Sequence, residues 1–293
     1  MLPGTYGEAC PQQARRMVPM TTAIQKQGRS MACPICSGSM KSCFTAQVLG
    51  KYPADYEVCK NCGFLRAHEP HWLEEAYSCA IAAADTGLVM RNIALACKLA
   101  GVLYWIVGER GEGRYLDAAG GYGLLTRLMR DLGFDFYWAD KHCANLLAPG
   151  FEYSQAQGAC RAVTAMEVLE HLTDPVAFIE ETLALSGAQA VLFSTELYEG
   201  PPPMPGEWWY YAFSTGQHIG FFQQRTLEAL GARLGLQFAS ANGLHIFSRT
   251  AVNERLLRTV TGSWISCAAP WWIRRRLGSK TMSDHQMMLQ SID

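Results

Sequence analysis

The chain has almost no net charge: 25 Lys and Arg stand against 26 Asp and Glu, leaving −1 over 293 residues. That balance excludes the broad basic footprint expected of a general nucleic-acid binder. No uninterrupted run of about 18 apolar residues occurs, which argues against a membrane-spanning helix. The first 30 residues carry Pro, Gln and Arg but no apolar core of signal-peptide length, so a cytoplasmic chain with a flexible lead over 1–30 is expected. Of eleven cysteines, seven (Cys10, Cys43, Cys79, Cys97, Cys143, Cys160 and Cys267) show no pairing pattern, which points to reduced thiols rather than disulfides. The apolar fraction is 49% and charged residues make up 17%, ordinary for a globular chain. The length suits one catalytic domain plus a small module.

The other four cysteines form two knuckles, Cys33-Pro-Ile-Cys36 and Cys59-Lys-Asn-Cys62, separated by 22 residues. Paired knuckles place four thiolates tetrahedrally around one zinc and leave no open position for chemistry. The ion is expected to be structural, because a ribbon over 31–72 is too small to hold itself together by apolar burial alone. Strand-like stretches, "FTAQVLG" and "DYEVC", lie between the pairs. Residues 73–112 read as a helical linker, with apolar spacing through Ile93, Leu95, Leu99, Leu103 and Ile106.

From 113 onward, strands and helices alternate. "RYLDAAG" reads as a strand, "GLLTRLMRDLG" as a helix, "FDFYWAD" as a strand ending in Asp140, and "RAVTAMEV" and "AQAVLFSTEL" as two more. "DPVAFIEETLALSG" is a helix with Asp174 as N-cap, Pro175 in its first position and Gly187 as its stop. "RTLEALGARLG" is another, followed by closing strands "LQFASANG" and "HIFSRTA". Alternation of this kind predicts an α/β fold with a parallel, doubly wound, Rossmann-like sheet and a ligand beyond the carboxyl ends of its strands.

The glycine turn after the first strand, Asp117-Ala118-Ala119-Gly120-Gly121-Tyr122-Gly123, identifies the ligand class. A phosphate loop needs Lys and Ser or Thr after its last glycine, and Leu124 and Leu125 stand there instead. The dinucleotide fingerprint needs a third small residue where Thr126 lies. Asp117 beside the turn repels a pyrophosphate but suits an ammonium group, and Asp140 is placed to accept from ribose hydroxyls. A ribose with a cationic amino-acid tail and no phosphate describes S-adenosylmethionine.

"YLDAAGGYG", Asp140 and "AVTAMEVLEHLTDP" together resemble the cofactor loop, ribose acid and fourth-strand motif of class I S-adenosylmethionine-dependent methyltransferases, over about Gly113 to Thr250. The family loop reads acid-x-Gly-x-Gly-x-Gly, and here Ala119 replaces the first glycine while Gly121 and Gly123 remain. The resemblance implies that Asp117 and Gly121 border the methionine end, that Asp140 holds the ribose, and that Met166 and Glu167 line the cleft. Lys141, a cation beside the ribose acid, leaves open a modified sulfonium cofactor with an extra carboxylate. With the ribbon in front, the chain resembles zinc-ribbon methyltransferases of sugars and other small metabolites. Sugar C-methyltransferases among them carry Tyr-His-Glu-His before a helix start. This chain has Thr215-Gly216-Gln217-His218, so His218 survives as a general-base candidate without its partners. Methylation of oxygen, nitrogen or sulfur therefore fits better than carbon.

His218 reads either as the base or as a structural hydrogen-bonder, and His171 as an orderer of the loop before a helix. Trp208 to Tyr211 either stack on a sugar or cover the sheet. The tail, 251–293, is read as helical and basic; its Trp-rich stretch beside Arg274, Arg275, Arg276 and Lys280 suits a membrane surface or an anionic substrate, with packing on the catalytic domain as the default expectation. Two alternatives to a small-molecule methyltransferase stand beside it: an RNA or protein methyltransferase gripping its substrate with the ribbon, and a non-catalytic cofactor-binding subunit.

Overall fold

The computed structural model describes residues 32–78 and 85–290. The lead expected over 1–30, Cys10 and Cys79 lie outside them. Strands β1 (Met40–Val48) and β2 (Tyr52–Cys59) pair antiparallel across a tight turn, and β3 (Leu65–Ala67) adds to β2. A short helix α1 (Leu73–Ala76) then precedes α2 (Leu88–Val102), which runs on as a π-helical turn over Leu103–Val107.

The main sheet is built from β4 (Arg114–Ala118), β5 (Asp135–Ala139), β6 (Ala162–Met166), β7 (Ala190–Ser194), β9 (Gln237–Ala241) and β10 (Leu244–Ser248). Their order is β5-β4-β6-β7-β10-β9. The first four are parallel, but β10 runs antiparallel to both β7 and β9, so the sheet is mixed and not parallel throughout. The cause is local. Asn242 and Gly243 both sit at positive φ, 53° and 75°, the geometry of a two-residue hairpin turn that reverses the chain at once.

Helices α3 (Leu124–Asp131), α4 (Pro175–Ser186) and α5 (Gln224–Leu234) connect these strands. The predicted signals at α4 are in place: Asp174 accepts from the Ala177 amide, Pro175 is the first helical residue, and Gly187 ends the helix at φ 64°. Alternate strand residues point to opposite faces of the sheet. Tyr115, Ala162, Leu192 and Ile246 meet Leu99 and Leu103 on one face. Leu116, Val163, Val191 and Phe247 meet Ile179, Leu183, Leu227 and Leu230 on the other. The expected linker is thus a core helix. Leu88–Val107 is long and apolar enough to cross a membrane by length and composition, but Leu95, Leu99 and Leu103 are buried within the domain.

The C-terminal segment forms α6 (Glu254–Val260), α7 (Ser263–Leu277) and α8 (Thr281–Gln290). Helix α7 continues through Pro270, which is buried, so proline does not break it. Asp284 on α8 locks to Arg130 and Arg127 through bonds of 2.8 Å.

The ribbon is not an appendage. Its fourth strand is β8 (Gly220–Phe221), supplied from the far end of the chain and paired with β3 through Leu65–Phe221 and Arg66–Gly220. An aromatic core fills the join, with Tyr56, Tyr210, Tyr211 and Phe221 fully buried. The Trp208–Tyr211 stretch therefore divides: the two tyrosines cover this core, while Trp209 is 75% exposed.

Candidate active site

The carboxyl ends of β4, β5 and β6 converge on the glycine turn. Ala119 stands at φ 55° and Gly121 at φ 55°. Left-handed backbone costs an L-residue roughly 1–2 kcal/mol, so Ala119 is held there by its surroundings. Gly120 is required by packing, since a Cβ there would lie 2.8 Å from Asp117 Oδ2 and from the Trp138 ring. Gly121 differs: a Cβ would meet no atom within 4 Å, so bare backbone faces open space. Gly123, at φ 85°, precedes the first turn of α3. Such a cradle fits a ligand that approaches the main chain closely.

Asp140 is tied to that cradle. Its Oδ2 accepts from the Gly121 amide at 2.9 Å, and its Oδ1 from the His142 and Cys143 amides at 2.7 and 2.9 Å. A carboxylate offers about four lone-pair directions, so one remains for a further donor. Trp138 Nε1 donates to the Gly121 carbonyl at 2.9 Å, fixing the turn from the other side.

Asp117 is 2% exposed and accepts from Thr164 at 2.8 Å and Thr126 at 3.2 Å. Burial pushes its carboxyl up to about 7. Thr126, in place of a third glycine, is thus a brace for this acid. Lys141 is exposed, with its ammonium 4.0 Å from Glu181.

Met166 and Glu167 end β6 beside the cradle. Glu167 adopts φ 54°, and its carboxylate accepts from the Ser194 hydroxyl at 2.5 Å. Burial first, and then neighbouring Glu170, raise it to about 6.

Beyond Glu167 lies a group that sequence reasoning only half identified. His171 and His218 meet edge to face, with centroids 4.8 Å apart. His218 Nδ1 lies 2.7 Å from the Tyr210 carbonyl and His171 Nδ1 3.1 Å from that of Gln217. Carbonyls only accept, so each Nδ1 carries a proton and Nε2 is the ring nitrogen left free for a ligand. Glu170 is fully buried; Tyr210 donates to its Oε1 at 2.7 Å, while its Oε2 has no hydrogen-bond partner. Burial lifts Glu170 above the usual carboxylate range. Donor atoms of Glu170, His171 and His218 all lie within 4.8 Å of one another, a spacing that also allows a cation. Tyr77 completes one wall, its ring 6.2 Å from His171 and 6.1 Å from His142. Adjacency in "EVLEHL" was a usable signal for Glu170 and His171; nothing in the sequence linked Tyr77 or Tyr210 to them.

The four knuckle thiols cluster within 4.8 Å, with Cys33–Cys62 and Cys36–Cys59 sulfur separations of 3.7 and 3.4 Å. Tetrahedral zinc–sulfur bonds of 2.3 Å require separations near 3.8 Å. The knuckles rest on α5 and on the segment after β7: from α5, Thr226 donates to the Cys62 carbonyl at 2.7 Å and Arg233 to that of Pro34, and from beyond β7 Tyr198 donates to that of Gly63.

A mixed sheet in this order, with a glycine cradle after its first strand and an acid after its second, defines a class I methyltransferase. A family model described as a methyltransferase domain matches residues 95–241, and the chain belongs to that family. No curated protein sequence matches the chain. Among solved structures, it is similar to CalO1, a methyltransferase in calicheamicin biosynthesis in its SAH-bound form (13% identity, 53% of this chain and 54% of that one, TM-score 0.37). It is also similar to TnmH (17%, 61% and 60%, TM-score 0.42) and to an O-methyltransferase family 2 protein from Planctomyces limnophilus complexed with apigenin (14%, 60% and 66%, TM-score 0.40). The matches span 54% to 66% of those three chains.

Proposed function

We propose that the chain transfers the methyl group of S-adenosylmethionine to an oxygen, nitrogen or sulfur atom of a small molecule or sugar, with His218 as the base. The observation that carries this reading is the His171–His218 imidazole pair, ring centres 4.8 Å apart, beside Glu170 and past the end of the strand next to the open backbone of Gly121. Ala119, Gly121 and Gly123 form the cofactor cradle, Met166 and Glu167 its wall, and the free lone pair of Asp140 takes a ribose hydroxyl. When bound, the sulfonium supplies a methyl group already activated for displacement.

The protein's part is then to orient and to accept a proton. Positioning of acceptor and methyl in line supplies several kcal/mol. His218 Nε2 takes the acceptor's proton as its lone pair attacks, which adds about 10²–10⁴-fold. His218 is kept in the correct tautomer by the Tyr210 carbonyl, and buried Glu170 stabilises the imidazolium that forms. Glu170 is a positioning and electrostatic group rather than the base.

The four thiolates hold one structural zinc, a reading supported by sulfur separations close to the tetrahedral value. The knuckle residues that would hold it flank β2 and β3, and β3 pairs with β8, the strand that follows His218. The deciding experiment is a screen of small metabolites and nucleotide sugars for methyl transfer from S-adenosylmethionine. Transfer to none of them, together with failure to bind the cofactor by calorimetry, refutes the reading.

A further inference from the structure

Helix α7 leaves its largest apolar side chains outside. Ser266, Ala269, Pro270 and Ile273 are buried against the domain, whereas Trp264 is 92% and Trp271 61% exposed. Trp272 stacks on Trp105 of the α2 extension, with centroids 5.8 Å apart and planes at 20°. The apolar surface thereby continues onto Trp105, itself 39% exposed. Burying two such indoles in water-free surroundings is strongly favourable, so leaving them exposed calls for a partner.

The charge beside them says which partner. Between Glu254 and Lys280 the chain carries six basic residues (Arg255, Arg258, Arg274, Arg275, Arg276 and Lys280) against the single acid Glu254. This excess sits in a chain whose net charge is −1. The Arg275 guanidinium lies 3.7 Å from the Trp271 ring centre and that of Arg276 5.1 Å from the Trp272 ring centre. Guanidinium over indole is an arrangement suited to a bilayer interface, where the ring enters the headgroup layer and the cation meets lipid phosphate. A second copy is a poor match, because an isologous pairing returns the same basic rim to itself with almost no acid to meet it.

We propose that the α7 face, with the adjoining Trp105, docks the protein on an anionic membrane, lying on the bilayer rather than spanning it. This inference does not rest on the methyl acceptor or on His218.

The test is co-sedimentation of the full chain with phosphatidylcholine vesicles and with vesicles containing about one third phosphatidylserine. Binding is expected to the anionic vesicles, with a blue shift of tryptophan emission and weakening at high salt. Replacing Arg274, Arg275 and Arg276 by Gln should lower vesicle affinity ten- to a hundredfold, on the scale of one basic contact each. Trp264→Ser with Trp271→Ser should lower it comparably. All five positions are exposed, so both variants should keep the thermal midpoint and cofactor affinity of the parent. Equal partition into both vesicle types, or into neither, overturns the proposal. So does a dimer in sedimentation velocity that the tryptophan variant splits while vesicles are ignored.

Discussion

The rings of His171 and His218 stand nearly perpendicular, at 85°, with 4.8 Å between their centres. Two imidazoles this close resist both becoming positively charged. Burial, and then the charge His218 can bear, hold His171 down to about 3. On the proposed reading the proton taken during turnover goes to His218, with His171 as a wall. His218→Ala is expected to lower turnover about 10²-fold or more while S-adenosylmethionine affinity stays within about twofold. Turnover per folded molecule equal to the parent's, on the true acceptor, excludes His218 as the base.

Asp140→Ala removes one ribose acceptor and releases three backbone amides at once. Cofactor binding should weaken by about 1.5–3 kcal/mol, the worth of hydrogen bonds to a charged group. The thermal midpoint should fall as well, because the Gly121 turn loses its anchor. Calorimetry and a melting curve together check both parts; unchanged affinity removes Asp140 from the site.

The Asp117 carboxyl reaches about 7 in the fold against 3.8 when free. Between those values the unfolded chain gives up this proton before the folded one does, so the unfolded state binds fewer protons. Stability from this group is complete below about pH 4 and is lost as pH rises through 7. Asp117→Asn keeps the shape but cannot ionise, and its urea midpoint should hold steadier between pH 5 and pH 8 than the parent's. A parent and variant with parallel pH profiles contradict the burial argument.

One zinc per chain is expected by metal analysis of the purified protein. Cys59→Ser should lower zinc content, thermal midpoint and turnover together, since β3 loses its footing and β8 with it. Loss of zinc with turnover untouched separates the ribbon from the active site.

The sequence alone carried α4 to the residue, because Asp174, Pro175 and Gly187 are local signals that act within one turn. The knuckles and the glycine cradle were equally legible for the same reason. What it did not carry were contacts made across long separations. The burial of Asp117 and its bond from Thr164, 47 residues away, were not legible in the glycine turn itself. The antiparallel β10 was announced by Asn242-Gly243, a turn signal that the alternation of strands and helices obscured. Tyr210 and Glu170 are 40 residues apart and meet only because the chain returns past β6 to enter the ribbon sheet. Exposure of Trp264 and Trp271 was likewise invisible, since helical spacing does not say which face has a neighbour.

The two-residue strand Gly220–Phe221 gives the molecule a mutual dependence. If metal at the knuckles favours the position of His218 that binds acceptor, linkage requires the converse: bound acceptor raises the affinity of the knuckles for metal. Saturating substrate should therefore raise the chelator concentration needed to strip half the metal by the same factor that zinc improves substrate affinity.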